Sequence, residues 1–273
     1  MIGLATDAGF AYSVAMNPRH FSPKPVPKPD RDHPKSTHVP KPENDLIHGA
    51  HAVIAAAMNP KRKLVHLWAS ENGYQRLKEE AKADLKCEIV HPRHLDHMLR
   101  GQDAVHQGLI LEAAPLRQPR LDQVAHDGLM VLLDQVTDPH NVGAILRSCA
   151  AFGVAAVVSP ARHTAAANGT LFKAASGAYE HVPMVTVTNL ARALDEIKGY
   201  GFQVVGLDSD AETSMDEVAK TRPLALVLGA EGKGLRQLTQ DSCHVVAKLA
   251  VPGAIKSLNV SIATAVSLYA LTR

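Results

Sequence analysis

The sequence has few cysteines and no long apolar run. Its three cysteines, Cys87, Cys149 and Cys243, lie far apart and form no C-x-x-C pair, which argues against a disulfide framework or a zinc knuckle and favours a reducing cytoplasm. No stretch of about 18 apolar residues is present, so we predict no membrane-spanning helix. The first residues lack a basic region before an apolar one, and we expect no secretory signal there.

The sequence also has almost no net charge. It carries 29 Lys+Arg against 27 Asp+Glu, a formal charge of +2, whereas a strongly basic domain is the usual mark of a nucleic-acid-binding protein. The charge is unevenly placed, however. Residues 1–44 carry six basic and four acidic groups, 45–120 carry eleven and nine, and 121–273 carry twelve and fourteen. The basic excess therefore lies in the first 120 residues.

The pattern of the chain predicts four segments. Residues 17–44 hold 8 of the 17 prolines, so we predict a disordered Pro/Lys-rich tail at 1–44, either a solvated spacer or an arm that contacts phosphates. Short strands alternate with helices over 45–115, which indicates a small α/β domain. Residues 116–126 resemble a linker, and 127–273 form the last segment.

The last segment alternates strands and helices more strongly. We predict strands at 129–134, 154–158, 183–187, 203–207, 224–228 and 245–249, and helices at 141–152, 165–175, 189–198 and 258–271. Repeated βα units of this kind form a mostly parallel sheet covered on both faces. Ligands of such sheets bind beyond the carboxyl ends of the strands, so the loops that follow the strands are the candidate sites.

Three of these loops contain polar residues suited to chemistry. After the first strand, Asn141 is a plausible helix N-cap and Arg147 lies in the second turn, where both could bind an oxygen-rich ligand or could be only a cap and a surface arginine. After the strand at 224–228, a Gly-rich turn from Gly229 to Gly234 surrounds Glu231. It matches neither the phosphate loop nor the dinucleotide fingerprint, and a carboxylate there suits a hydroxyl or a cation.

The third loop follows the strand at 245–249. Ser257 is predicted to cap the helix that begins at 258. Asn259 then lies in the first turn, where no structural requirement for an amide is evident.

Together the three loops carry a family resemblance. NVGAILR at 141–147, LGAEGKG at 228–234 and SLNVS at 257–261 resemble the three motifs of the SpoU/TrmH-type RNA ribose 2'-O-methyltransferases of the SPOUT superfamily. HGAHAV at 48–53 and AVHQG at 104–108 resemble the substrate-binding domain of the large-subunit rRNA guanosine 2'-O-methyltransferases.

The resemblance implies a fold, a cofactor and a reaction. It implies a knotted α/β domain at 127–273, in which a trefoil knot binds S-adenosylmethionine, an N-terminal domain that binds RNA, and a homodimer with its sites at the interface. The basic excess would then serve RNA binding, and the acidic excess of the last segment would hold a cationic sulfonium. The reaction that the resemblance implies is methylation of a ribose 2'-OH, with a guanosine of 23S rRNA as the leading substrate.

The resemblance also assigns residues. The cofactor-binding residues would be Gly229, Leu249 and Leu258, and the active site would comprise Asn141, Arg147, Glu231, Ser257 and Asn259. We interpret Arg147 as a fixed cation rather than a base, because a guanidinium stays charged. One departure is Leu249-Ala250, where the family often has Ile-Pro.

Other interpretations stay open on the sequence alone. The substrate could be tRNA, or the chain could be a catalytically silent RNA-binding assembly factor; an oxidoreductase is disfavoured because the G-x-G-x-x-G turn is missing. His91, His94 and His97 have a spacing that suggests a metal site, but no cysteine or acidic cluster completes it, and we predict no metal. We expect Cys149 and Trp68 to be core residues.

Overall fold

The computed structural model describes residues 38, 40, 41, 43–82, 85–100 and 105–273. The tail predicted at 1–44 therefore lies outside the described residues, except for residues 38, 40, 41, 43 and 44. Three of these are hydrogen-bonded to Glu112, which is fully buried: the backbone N–H of Lys41 lies 2.7 Å and the Nδ2 of Asn44 lies 2.6 Å from its Oε1, and the Nε2 of His38 is hydrogen-bonded to its Oε2.

The first sheet has four strands with mixed pairing. Its strands are β1 (Asp45–His48), β2 (Leu64–Ala69), β3 (Glu88–Ile89) and β4 (Leu109–Ala113), in the order β1-β4-β2-β3. The connecting helices are α1 (Ala50–Met58), α2 (Glu71–Ala81) and α3 (Pro92–Met98). β4 is antiparallel to β1 and β2, and β3 is parallel to β2. Strand β1 was not predicted, because its four residues are too few to show a strand period.

The second sheet has seven strands, and all of its pairings are parallel. The strands, in the order β7-β6-β5-β10-β8-β11-β9, are β5 (Leu129–Asp134), β6 (Ala156–Pro160), β7 (Met184–Val187), β8 (Gln203–Leu207), β9 (Thr213–Ser214), β10 (Leu224–Gly229) and β11 (Val245–Lys248). This confirms the predicted parallel sheet. Strand order and pairing do not test the trefoil knot, which stays a prediction.

Helices cover both faces of the second sheet. They are α4 (Pro139–Ala151), α5 (Gly169–Ala175), α6 (Leu190–Gly199), α7 (Gln237–Asp241) and α8 (Val260–Leu271), with 3-10 turns at Leu121–Gln123, Ala178–Glu180 and Met215–Glu217. No helix of the described residues is long and apolar enough to cross a membrane. β9, α7 and the 3-10 turns were not predicted, since elements of two to five residues carry little periodic signal.

The central strand β5 shows why the sheet is buried on both sides. All six of its residues are buried, and side chains alternate between the two faces. Val131 and Leu133 join the core cluster that contains α4, α5 and α8, whereas Met130 and Leu132 join the cluster that contains α6. Cys149 of α4 lies in the first cluster and Trp68 of β2 is fully buried, so both are core residues as predicted.

A buried arginine, Arg62, links strand β1 of the first sheet to the 3-10 turn at Ala178–Glu180. The guanidinium of Arg62 lies 2.7 Å from the carboxylate of Asp45 and 2.8 Å from that of Glu180, and its side chain is fully buried. Asn59 donates a hydrogen bond of 2.8 Å to the second oxygen of Glu180. The same guanidinium lies over the rings of Phe172 and Tyr179. These contacts satisfy a charge that would otherwise be costly to bury.

Candidate functional site

The three predicted loops lie at one edge of the second sheet. They follow β5, β10 and β11, and parallel strands end at the same edge. β5 and β10 are direct neighbours, with Gly229 in register with Asp134. Residues from distant parts of the sequence therefore come together there.

Asn141 has a different local role from the one expected. The helix N-cap is Asp138, whose side chain accepts a hydrogen bond of 2.9 Å from the N–H of His140, and Pro139 is the first helical residue. Proline suits the first helical position, because an amide N–H there would have no partner within the helix and proline has none. The prediction that Asn141 caps α4 is therefore wrong. Asn141 lies in the first turn with its side chain buried, and its amide is available for a contact outside the helix.

The cap of α8 is also displaced from the prediction. Asn259, not Ser257, caps the helix, which begins at Val260 rather than at 258. The Oδ1 of Asn259 accepts hydrogen bonds from the N–H and hydroxyl of Ser261, at 2.9 and 2.6 Å. The expectation that no structural role requires an amide at 259 was wrong, because this oxygen satisfies helix-terminal N–H groups.

The nitrogen of the same amide joins the three loops. The Nδ2 of Asn259 donates to the Oδ1 of Asn141 at 3.0 Å and to the Oε1 of Glu231 at 2.5 Å. Both hydrogens of the nitrogen are thus used, one toward each neighbouring loop. An aspartate in this position could cap the helix but could not donate either bond.

The Gly-rich turn is folded back on itself. Ala230 and Gly234 form an isolated β-bridge, in which the N–H of Gly234 donates to the carbonyl of Ala230 at 3.0 Å. A Cβ at Gly229 would lie 2.1 Å from the carbonyl carbon of Gly234, so no side chain fits there. Gly234 has a φ of 64°, in the left-handed region that favours glycine. The turn exposes Glu231 at its tip.

A cavity of about 880 Å³, which we call the main cavity, opens beside the hydrogen-bonded side chains of Glu231 and Asn259. Its lining includes six of the eight residues that the sequence analysis assigned to the site: Gly229, Glu231, Leu249, Ser257, Leu258 and Asn259. Asn141 does not line it but is hydrogen-bonded to Asn259, which does. Arg147 is the one assigned residue that the structure leaves apart from this group.

The main cavity has an acidic wall that the sequence analysis did not identify. Four carboxylates line it, those of Asp208, Asp210, Glu212 and Glu231, against two amines, those of Lys233 and Lys256. The first three follow β8, at the carboxyl end of a parallel strand. The rule that ligands bind at this edge could have located them, since that strand was predicted within its observed bounds.

Arg147 lies on the exposed side of α4. It is six residues from Asn141, which corresponds to about 9 Å along the helix axis and about 120° around it. Its side chain forms no hydrogen bond or ion pair with any residue that the structure describes. α8, which packs against α4, has three exposed apolar residues at helical spacing: Ile262, Val266 and Tyr269. Arg147 thus lies on a helix that packs beside an exposed apolar stripe.

The described residues offer no obvious alternative chemistry. Burial raises the pKa of the Cys149 thiol, and it raises the pKa of Cys243 to about 11, so neither is a ready nucleophile. No group of three or more His, Cys, Asp or Glu residues that could hold a metal ion occurs in the described part of the chain. His91, His94 and His97 all lie in that described part.

Sequence comparisons cover both parts of the chain. Residues 128–269 match the SpoU rRNA Methylase family, and residues 46–119 match the family described as RNA 2'-O ribose methyltransferase substrate binding. The 23S rRNA (guanosine-2'-O-)-methyltransferase RlmB of Pseudomonas aeruginosa is 37% identical over 241 residues, which cover 84% of this chain and 96% of that protein. RlmB of Photorhabdus laumondii is 36% identical, with coverage of 84% and 98%.

Solved structures have the same fold. The crystal structure of an RNA 2'-O ribose methyltransferase matches with a TM-score of 0.71 and 25% identity, over 84% of this chain and 88% of that one. The SpoU methyltransferase AviRb from Streptomyces viridochromogenes, solved with AdoMet, matches with a TM-score of 0.71 and 21% identity, over 84% and 89%. With its three loops assembled at one sheet edge and its sequence matched over both segments, this chain belongs to the SpoU rRNA methylase family.

Proposed function

We propose that this chain transfers a methyl group from S-adenosylmethionine to the ribose 2'-OH of a guanosine in 23S rRNA. The observation that carries the proposal is the junction of Asn141, Glu231 and Asn259 at the main cavity, where three family motifs become one polar site. The names of the RlmB relatives support the choice of 23S rRNA over tRNA.

The main cavity fits the cofactor in size and charge. Its 880 Å³ lies within the range of small-molecule sites, and its four carboxylates complement a cationic sulfonium. Gly229, Leu249 and Leu258 would hold the cofactor, since all three line the cavity, and the missing side chain of Gly229 lets the backbone of Gly234 close the turn beside it. When bound, the cofactor supplies a methyl group on a good leaving group.

The remaining residues act on the ribose. Glu231, Ser257 and Asn259 line the cavity and orient the hydroxyl, and Asn141 fixes the amide of Asn259. Arg147 binds an RNA phosphate and stabilises the alkoxide charge that develops during transfer, and the phosphate takes the hydroxyl proton. A permanent cation suits this role better than that of a base.

A homodimer would bring Arg147 to a reacting site. Within one chain Arg147 is exposed on the side of α4 away from Asn141, and the stripe of Ile262, Val266 and Tyr269 leaves about half of each side chain exposed. If the exposed sides of α4 and α8 pair with a second copy of the chain, the stripe is buried and Arg147 lies at the interface. We therefore propose that the enzyme is a homodimer with its sites at the interface.

The segments of the chain have separate tasks in this proposal. Residues 45–115 bind the RNA, residues 116–126 connect, and residues 127–273 form the knotted catalytic domain; the family matches at 46–119 and 128–269 support this division. The enzyme would act in the cytoplasm, where the rRNA is, and would need no metal.

An in vitro transfer assay tests the proposal. The purified chain is incubated with tritiated S-adenosylmethionine and either unmodified 23S rRNA transcript or unmodified tRNA, with the Arg147→Ala variant as the inactive control. Label in 23S rRNA from the wild-type chain alone supports the proposal. Label only in tRNA favours the alternative substrate, and no label in either RNA favours a silent RNA-binding factor.

A further inference from the structure

A second cavity, which we call the edge cavity, lies at the same edge of the sheet as the main cavity. It has a volume of about 200 Å³ and is lined by residues that follow β5, β6 and β7 and by the start of α7. None of the eight residues assigned to the methyl-transfer site lines it. It is therefore a separate feature that the reaction described above does not use.

The lining of the edge cavity is basic. Arg162 and His163 lie on the exposed loop after β6, and Arg236 follows the Gly-rich turn. Among the residues that the structure describes, no aspartate or glutamate lines this cavity, in contrast to the four carboxylates of the main cavity. Arg162 forms no hydrogen bond or ion pair with any described residue, so its charge is available to a ligand. A positively charged lining of this kind favours the binding of an anion.

Arg236 is held in place by a buried carboxylate. Its Nε lies 2.7 Å from one oxygen of Asp134, which is fully buried, and its backbone N–H lies 3.1 Å from the other. Half of the Arg236 side chain remains exposed. Because Asp134 is in register with Gly229, this ion pair places the edge cavity beside the main cavity.

The N-terminus of α6 adds a further electropositive group. Leu190 and Ala191, in the first turn of this ten-residue helix, line the cavity. The N-cap Asn189 accepts from the N–H of Arg192 at 3.1 Å, which leaves the earlier amides without an intrahelical partner. Together with the two arginines and the histidine, these amides form an arrangement suited to an oxyanion.

We propose that the edge cavity binds a phosphodiester group of the RNA chain, next to the nucleotide being methylated. The proposal rests on the proposed function and extends it to the path of the RNA. Neighbouring strands are about 4.8 Å apart, so the ends of β6 and β7 lie within a few strand spacings of the main cavity. Leu238, which is 65% exposed, lines the same cavity and offers an apolar surface to the attached ribose or base.

The test compares charge variants in RNA binding and turnover. Arg162→Glu and Arg162→Lys are prepared with Lys220→Glu as the control matched in charge, because Lys220 is an exposed cation just before β10, at the opposite edge of the sheet. The KM for 23S rRNA transcript, kcat and the salt dependence of RNA affinity are measured for each. Calorimetric titration with S-adenosylmethionine checks that the fold and the main cavity are intact.

The expected result is a roughly ten-fold higher KM for RNA in Arg162→Glu, a partial effect in Arg162→Lys, and a salt-dependence slope lower by about one. Cofactor affinity and the Lys220→Glu values should match those of the wild type. A wild-type KM for RNA in Arg162→Glu would overturn the inference, even if the cavity binds inorganic phosphate. Failure of the wild-type chain to methylate either RNA would instead overturn the proposed function.

Discussion

The side-chain nitrogen of Asn259 lies 3.0 Å from the side-chain oxygen of Asn141, a residue 118 positions earlier in the chain. The same nitrogen donates to Glu231, while the oxygen of its amide caps α8. One side chain therefore sets the helix start and joins the three loops. This arrangement requires an amide, since both a donor and an acceptor are used.

The requirement for an amide predicts the effect of Asn259→Asp. The new carboxylate keeps the cap but faces Glu231 and the oxygen of Asn141, so we expect a loss of about 1–3 kcal/mol in the free energy of unfolding. Methyl transfer should fall on the order of 100-fold. The stability loss should be smaller at pH 5 than at pH 8, because adjacent carboxylates can share a proton. Urea denaturation at both pH values and initial rates measure these effects.

A control for this variant is Ser261→Ala, which removes only the hydroxyl donor to the Asn259 oxygen. It should leave the rate within about two-fold of the wild type, since the backbone cap remains. Wild-type stability and rate in Asn259→Asp would show that the bridge to Glu231 is not needed.

The folded Gly-rich turn predicts a loss of cofactor binding in Gly229→Ala. The added Cβ would meet the backbone of Gly234 at about 2.1 Å, and backbone atoms cannot rotate away as a flexible side chain can. We expect the dissociation constant for S-adenosylmethionine to rise at least about ten-fold, because the turn must open to admit the side chain of the new alanine. Gly253→Ala is the matched control: a Cβ there would have no other atom within 4 Å, and affinity should not change. Calorimetric titration compares the two.

Two substitutions at Arg147 separate charge from geometry. Arg147→Lys keeps the charge but loses the bidentate fork, and should retain part of the activity; Arg147→Ala should lose nearly all of it. Both should bind S-adenosylmethionine normally, because Arg147 does not line the main cavity. Single-turnover rates and calorimetry provide the measurements. Undiminished transfer by Arg147→Ala would remove any essential role for this residue.

The buried Arg62 predicts a large effect on stability. Arg62→Met leaves the carboxylates of Asp45 and Glu180 without their buried cation, and we expect a loss of about 3–5 kcal/mol in the free energy of unfolding. Arg76→Met, which breaks an exposed pair with Glu80, should cost at most about 0.5 kcal/mol. Denaturant titrations of both variants decide the point; equal effects would contradict the assigned role of Arg62.

The buried His48 predicts a loss of stability in acid. Burial, with a smaller contribution from Lys173, lowers the pKa of His48 from 6.5 to about 4. The unfolded chain takes up this proton below about pH 6.5 and the folded chain does not, so the free energy of unfolding falls as the pH falls toward 4. Between pH 7 and pH 5, wild type should lose about 2 kcal/mol more than His48→Asn. Equal losses would contradict the assignment to His48.

Part of the site could be predicted from sequence because its signals are local. The apolar strands β5 and β10 and the glycines after β10 placed the motif residues at one sheet edge. The helix caps were misplaced because Asp138 and Asn141 are both good capping residues, and the correct signal was Pro139 directly after Asp138. The hydrogen bond between Asn141 and Asn259 depends on tertiary packing, which no local pattern records.

Arg147 shows a second limit of sequence reasoning. Its spacing from Asn141 suggested that both could act on one ligand, but a six-residue step on a helix turns the side chain to another face. The acidic wall after β8 was missed for a different reason: Asp208, Asp210 and Glu212 lie within five residues of one another, but three acidic residues in a loop do not by themselves indicate a ligand. Only the cavity shows that they adjoin Glu231.

The most direct test of the account is a map of ribose methylation in the organism that carries this chain, with and without its gene. RNA from both strains is profiled for 2'-O-methyl groups across rRNA and tRNA. The account predicts that one 2'-O-methylguanosine disappears from 23S rRNA on deletion and returns with the wild-type gene, but not with Asn259→Asp. An unchanged set of 2'-O-methyl marks in every RNA would contradict it.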